Sequence, residues 1–368
     1  MYPVKPSLLY QIGITLIPGI GDVNGKKLIN WCGSAEAVFK SSARELLSIP
    51  GIGHTVVNNI LDQKVLGRAE KEIRFIEKYH IRPLFFRDEA YPQRLLNCYD
   101  HPLMLYFRGD ADLNQKRIIA FVGTRRATDY GRVRCRELIE GLQGKEVLIV
   151  SGLAYGIDGC AHRRAVELGI PTVGVLGHGL DRIYPAPHRK LAGEMLEKGG
   201  LVTEFLSETN PDRENFPKRN RIVAGMTDAV VVVESDKKGG ALITARLANS
   251  YNRDVFAVPG RLTDRFSTGC NFLIKTNQAA LVQSADDIGY IMGWDDRRTN
   301  ADRQTRLFVE MTETEKFLYQ LLEETGTMGV DKLTVRSGFA PSTVSAALLG
   351  MEFKGLVQSL PGKQYRIQ

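Results

Sequence analysis

The chain has 368 residues, 43% hydrophobic and 25% charged, with 49 Lys and Arg against 42 Asp and Glu for a net charge of +7. That is the composition of a globular protein of two or three domains, and it excludes a collagen-like or low-complexity chain. The mild basic excess suits a nucleic-acid partner without requiring one.

In chain order, residues 1–65 read as helical and carry an internal repeat, LIPGIGDVNGKKLI at 16–29 and SIPGIGHTVVNNIL at 48–61. The glycines permit a tight turn, after which the next helix presents unpaired N–H groups that can hold a phosphate. Two such copies resemble a tandem helix-hairpin-helix (SAM-like) domain, usually a non-specific binder of DNA backbone. At the first copy a plain packing turn is an equal reading, because Asp22 stands where an anion would approach. The second copy, followed by His54 and Thr55, is the better phosphate candidate. Residues 66–116 read as a connector, with a helix in GRAEKEIRFIEKYH and then the proline-broken YPQRLLNCYDHPLMLYFRGD.

Residues 117–292 alternate apolar strands with helical segments, as an open, mostly parallel, Rossmann-like α/β sheet does. Strands are expected at 117–122, 147–151, 172–176, 200–204, 229–234, 254–258 and 279–282. Runs such as DAVVVVE imply burial on both faces. Residues 293–309 are charged and weakly patterned, and read as a linker. In 310–368, Thr312 with Glu315 forms a capping box, a short helix falls near 330–336, and a third helix follows with Ser342 at its N-cap. VQSLPGKQYRI then reads as a β-hairpin, and the order resembles a winged helix. Its third helix carries few basic residues, with Lys354 alone at the end, which favours a protein contact over duplex binding.

The five cysteines (Cys32, Cys98, Cys135, Cys160, Cys270) are scattered with no C-x-x-C pair, so neither a disulfide scaffold nor a zinc ribbon is expected. The N-terminus lacks a signal-peptide pattern, and no apolar run is long enough to span a membrane. A cytoplasmic protein is the expectation.

The chemistry concentrates at strand ends. Ligands of a parallel sheet collect outside its carboxyl edge, and four such ends share one character. They are GTRRATDYGR after the first strand, SGLAYGIDGCAH after the second, NFPKRNRIVAG beyond the fourth and SDKKGGALITARLA after the fifth. Each offers backbone donors, and three add Arg or Lys, whose charges match phosphate oxygens. Phe216 beside Lys218, Arg219 and Arg221 sets an aromatic face among cations, the combination with which sequence-tolerant binders hold a single strand. Singly, each of these features is commonplace in α/β proteins; their placement on one edge gives them weight.

Together VGTRRATDYG, SGLAYGIDGCAH, GHGLDRIYPAPHRKL, NFPKRNRIVAGMTDAVVVVE, KGGALITARLANSYNRDVFAVPG and STGCNFLIK, in this order over roughly 117–276, resemble the DNA-processing protein A (DprA/Smf) family. The resemblance implies a single-stranded DNA binder in natural transformation and recombination. Such a protein protects incoming strands, loads the RecA recombinase and works as a homodimer through its Rossmann-like domain. It further implies that Gly123, Thr124 and Arg125, with Arg126 next, occupy the family's G-S-R triplet, whose arginine contacts a DNA phosphate. Thr124 replaces the usual serine and keeps the hydroxyl. Ser151 and Gly152 would begin a second phosphate-facing loop. Phe216, Lys218, Arg219, Asn220 and Arg221 would form the RNRI block, and Lys238, Gly239 and Gly240 the glycine loop, here without the hydroxyls of S-G-S. Arg189 or Lys190 would be the basic residue of YPAPHRKL.

An enzyme is the competing class. SGLAYGIDGCAH also resembles the nucleotide phosphoribohydrolases similar to lysine-decarboxylase-like proteins, but their P-G-G-x-G-T-x-x-E segment is here KKGGALITARLA, with Arg246 and no glutamate. There is no G-x-x-x-x-G-K-[ST] and no G-x-G-x-x-G. The six histidines show no metal spacing. His162 reads as a structural hydrogen-bonding residue and Asp158 as favouring its helix N-terminus. No catalysis, cofactor or metal is expected.

Overall fold

The computed structural model describes residues 7–294 and 311–367. Nine strands form one sheet: β1 (Arg82–Phe85), β2 (Met104–Gly109), β3 (Arg117–Val122), β4 (Val147–Ser151), β5 (Thr172–Val175), β6 (Gly200–Thr203), β7 (Ala229–Val232), β8 (Asp254–Ala257) and β9 (Ala280–Leu281). Their order is β1-β2-β6-β5-β4-β3-β7-β8-β9. From β6 across to β9 every pairing is parallel, whereas β1 on β2 and β2 on β6 are antiparallel.

All seven strands expected between 117 and 282 form, and the reason for their unbroken apolar runs is visible in the packing. Ile118, Ala120 and Val122 of β3 pack on one face of the sheet with Leu148 and Val150, while Ile119 and Phe121 pack on the other with Val147 and Ile149. With helices covering both faces, alternation has no polar side to express.

The stretch 66–116 is more than a connector. Its helix forms (Val65–Lys78), but the proline-broken segment contributes β1 and β2, which extend the sheet by antiparallel pairing. Pro83 falls on β1, the outermost strand, where a missing N–H is tolerated.

Residues 8–62 are helical, and both Pro-Gly-Ile-Gly repeats make turns between helices. Gly19 and Gly51 take φ of +83° and +81°, which favours glycine, and Gly21 and Gly53 become the N-caps of helices Asp22–Cys32 and His54–Asp62. At the first copy Asp22 faces the interior: its carboxylate accepts from the Leu103 backbone N–H at 3.0 Å and from Arg221 at 3.1 Å. Leu28, Ile29, Val38, Phe39, Val57 and Ile60 of this unit share a core with Phe85, Leu103, Met104 and Tyr106 around β1 and β2.

The C-terminal unit has helices Glu313–Thr325, Val330–Ser337 and Pro341–Phe353, and strands β10 (Thr327–Gly329), β11 (Val357–Leu360) and β12 (Gln364–Ile367). The Thr312–Glu315 capping box is present, and Glu315 also pairs with Lys354 at 2.7 Å, tying the first helix to the end of the third. The third helix starts two residues earlier than its serine implies: Pro341 takes the first helical position and Ala340 the N-cap, so Ser342 lies inside. Strand β10, absent from the sequence reading, pairs with β12. The linker expected at 293–309 falls almost wholly outside the described residues.

Candidate nucleic-acid interface

The chain order reverses between β3 and β7, so the sheet's switch point lies between the loops that leave these two strands. There a mononucleotide cofactor would ordinarily sit. Here the crevice is filled from within. Thr124 N donates to the Glu234 carbonyl at 2.8 Å, and the buried Glu234 carboxylate accepts from both the backbone N–H (2.9 Å) and the hydroxyl of Thr128. A side chain at Gly131 would overlap that carboxylate. Glu234 and Thr128 together secure the N-terminus of helix Asp129–Glu140, where an anion would otherwise bind.

With the crevice closed, the accessible chemistry moves to the rim. Gly123 is held at the turn because a Cβ there would press on Ile157 at 2.5 Å. Gly156, at φ +79°, lets the loop after β4 meet the carbonyl of Thr124, to which Ile157 N donates at 3.2 Å. The Thr124 hydroxyl accepts from Arg126 N at 3.2 Å, fixing the turn. Arg125 and Arg126 are exposed. The Arg125 guanidinium lies 5.0 Å from the Phe216 ring centroid, and Phe216 in turn lies 6.0 Å from Tyr184.

Helical phase divides the block around Phe216, which forms helix Asn215–Gly225. Asn215, Arg219, Ile222 and Val223 point inward and are buried, while Lys218 is exposed and Phe216 and Asn220 half-buried. Arg219 is therefore not a surface cation. Its guanidinium donates to the carbonyls of Gly152 and Val175, closing the ends of β4 and β5, and its Nε donates to Asn220 at 3.1 Å. Burial lowers its pKa to about 10, against the pull of Asp158. Arg221 is likewise engaged. It donates to Glu204, Asp22 and the Asp100 carbonyl, fastening the N-terminal unit to the sheet. Burial raises the Glu204 carboxyl to about 7 despite Arg221.

The second loop also turns its polar atoms inward. Ser151 is fully buried and its hydroxyl donates to the Phe121 carbonyl at 2.6 Å. Gly152 N donates to Asp158 at 3.1 Å, and a Cβ on Gly152 would overlap the Arg219 guanidinium. Asp158, in the first turn of helix Ile157–Glu167, accepts from Gly152 and Ala154, and burial raises its pKa, with Arg219 the main opposing influence. His162 is buried with Nδ1 2.7 Å from the Thr172 hydroxyl, and burial pushes it down to about 3.

Farther along, Arg189 is exposed at the start of helix Arg189–Met195, next to His188, whose Nδ1 lies 3.0 Å from the Leu153 carbonyl. Lys190 is exposed beside it. Lys238 is exposed, and Gly239 caps helix Gly240–Ser250 with no side-chain acceptor, while the space around Gly240 is open. Two exposed aromatics escaped sequence reasoning: Tyr155, 5.4 Å from His188, and Tyr184. Tyr155 comes three residues after Gly152 and Tyr184 five after Gly179, so each follows a glycine turn at a strand end.

The expected residues thus sort into two layers on one edge. Arg125, Arg126, Phe216, Lys218, Arg189 and Lys238 lie outside; Ser151, Gly152 and Arg219 lie beneath, and Arg221 instead ties the sheet to the N-terminal unit. Fold and rim together define a Rossmann-like α/β protein with a helical N-terminal unit and a C-terminal winged helix. Residues 82–292 match the family model for DNA recombination-mediator protein A, and 307–363 that for the DprA winged helix domain. The chain is 31% identical to protein Smf of Synechocystis sp. over 97% of its length and 98% of the relative's, and 39% identical to a putative DNA processing protein DprA of Mycobacterium tuberculosis over 85% and 84%. Among solved structures it resembles DNA processing protein A of Streptococcus pneumoniae (32% identity, TM-score 0.67, 76% of this chain and 96% of that one). It also resembles the Helicobacter pylori DNA processing protein A, described for its single-stranded DNA binding mode (30% identity, TM-score 0.54, 59% and 97%). The chain belongs to the DNA-processing protein A (DprA/Smf) family.

Proposed function

We propose that this protein is a non-catalytic, single-stranded DNA-binding recombination mediator of the cytoplasm. It holds a strand by its phosphates along the carboxyl rim of the sheet, protects incoming DNA and loads RecA onto it during natural transformation, acting as a homodimer through the Rossmann-like domain. The observation that carries the reading is the stack of exposed Arg125 on Phe216 beside Tyr184, above a switch-point crevice filled by Glu234. A plugged crevice disfavours a mononucleotide, whereas cations and aromatic faces on an open rim suit a polynucleotide. Two rims joined in a dimer would raise the effective concentration of the second site.

Titration of labelled oligo-dT and of duplex DNA at rising salt tests this. If about four phosphates are neutralised, log K falls against log salt with a slope of roughly −3, and the single strand competes better than duplex. A flat salt response, or release of free base from a nucleoside monophosphate, overturns the reading in favour of a phosphoribohydrolase-like enzyme.

A further inference from the structure

A groove of about 450 Å3 opens between helices Val65–Lys78 and Arg189–Met195 beside the sheet, a volume inside the roughly 300–1,000 Å3 range of ligand sites. One wall is aromatic. Phe75 and Tyr79, at the end of helix Val65–Lys78, stand with ring centroids 4.8 Å apart; Tyr79 is 39% exposed, and the Lys78 ammonium lies 5.3 Å from its ring. The other wall is cationic. Arg108 of β2 and Arg189 are exposed, and Arg182 is held by Asp181 and Asn210, so three arginines face the groove against one aspartate. Leu196 and Leu201 supply apolar floor.

A short piece of chain joins the groove to the rim. Arg182, Ile183 and Arg189 line the groove, and the residue after Ile183, Tyr184, sits against Phe216. Aromatic faces among cations are how a single strand is held without regard to sequence.

We propose that the groove is a second nucleobase-binding segment, in which a single strand leaving the rim runs past Tyr184, seats bases against Phe75 and Tyr79, and lays phosphates on Arg108 and Arg189. This rests on the single-strand reading of the rim. It gives the end of helix Val65–Lys78 a direct share in the strand's footprint.

Gly193 supplies a clean test. It lies in helix Arg189–Met195 and lines the groove, and a Cβ built on it meets no atom within 4 Å. Gly193→Trp therefore fills the groove without displacing core. The double variant Tyr79→Ala with Arg108→Ala empties the walls instead. Binding of oligo-dT of about six and about twenty nucleotides to the full chain is measured by fluorescence anisotropy. Both variants are expected to lose about tenfold in affinity for the long strand, with the short strand and the unfolding temperature unchanged. Unchanged long-strand affinity in both variants, while Arg125→Ala weakens both lengths, removes the groove from the path and leaves the rim reading standing. A wild-type chain that binds neither length ends both.

Discussion

Three arginines that look alike in the sequence meet three environments at this edge. Arg125 is exposed over Phe216, Arg219 is 5% exposed between two strand ends, and Arg221 spans two carboxylates. Charge and neighbourhood in the sequence point to all three as phosphate contacts; only helical phase separates them. Asn215, Arg219, Ile222 and Val223 recur at the spacing of a buried helix face, a signal present in the sequence but overshadowed by the cluster of cations around it. The distinction predicts opposite mutants. Arg125→Ala removes no buried partner, so the unfolding midpoint holds while single-strand affinity drops and the salt slope shrinks by about 1. Arg219→Ala leaves Asp158 buried without its cation and two carbonyls without a donor, at a cost of about 3–5 kcal/mol in denaturant melts. Equal stability of the two variants would contradict this division.

Between residue and molecule, the loops after β3 and β4 work as one interlocked element. Gly156 is the joint. At φ +79° and ψ −125° its backbone is open to glycine alone, and a Cβ there would collide with the Thr124 carbonyl and come within 2.7–2.8 Å of Arg125 backbone atoms. Gly156→Ala should therefore lower stability by about 3 kcal/mol and, unlike Arg125→Ala, weaken oligo-dT binding by moving the arginine. A variant with unaltered melt and binding would show that the two loops are independent. The strands that flank these loops were legible because each buries both faces, which writes long Val and Ile runs. Strands β1, β2 and β10 were not legible: β1 contains Pro83, β2 follows a proline-broken stretch, and β10 spans three residues, so each is set by pairing with a partner distant in sequence.

At the scale of the whole chain, the least legible feature is how firmly the N-terminal helices belong to the sheet. Composition and the Pro-Gly-Ile-Gly repeat mark them as a unit ending near residue 65, yet their contacts reach across the sequence. Asp22 binds Leu103 and Arg221, and the Lys26 ammonium donates to the carbonyls of Tyr99 and His101. Leu28, Phe39 and Ile60 pack in one cluster with Phe85, Met104 and Tyr106. No local pattern encodes such pairings, because they join segments tens to nearly two hundred residues apart. The consequence is physical: a cut at residue 66 passes through a hydrophobic core. It would bare the apolar side chains of β1 and β2 and strip Arg221 of one carboxylate. A fragment spanning 66–294 is therefore expected to bind a hydrophobic dye, scatter light at micromolar concentration and melt well below the full chain. If that fragment instead stays monodisperse and melts cooperatively at the temperature of the full chain, the shared core contributes little and the helical unit is a detachable domain.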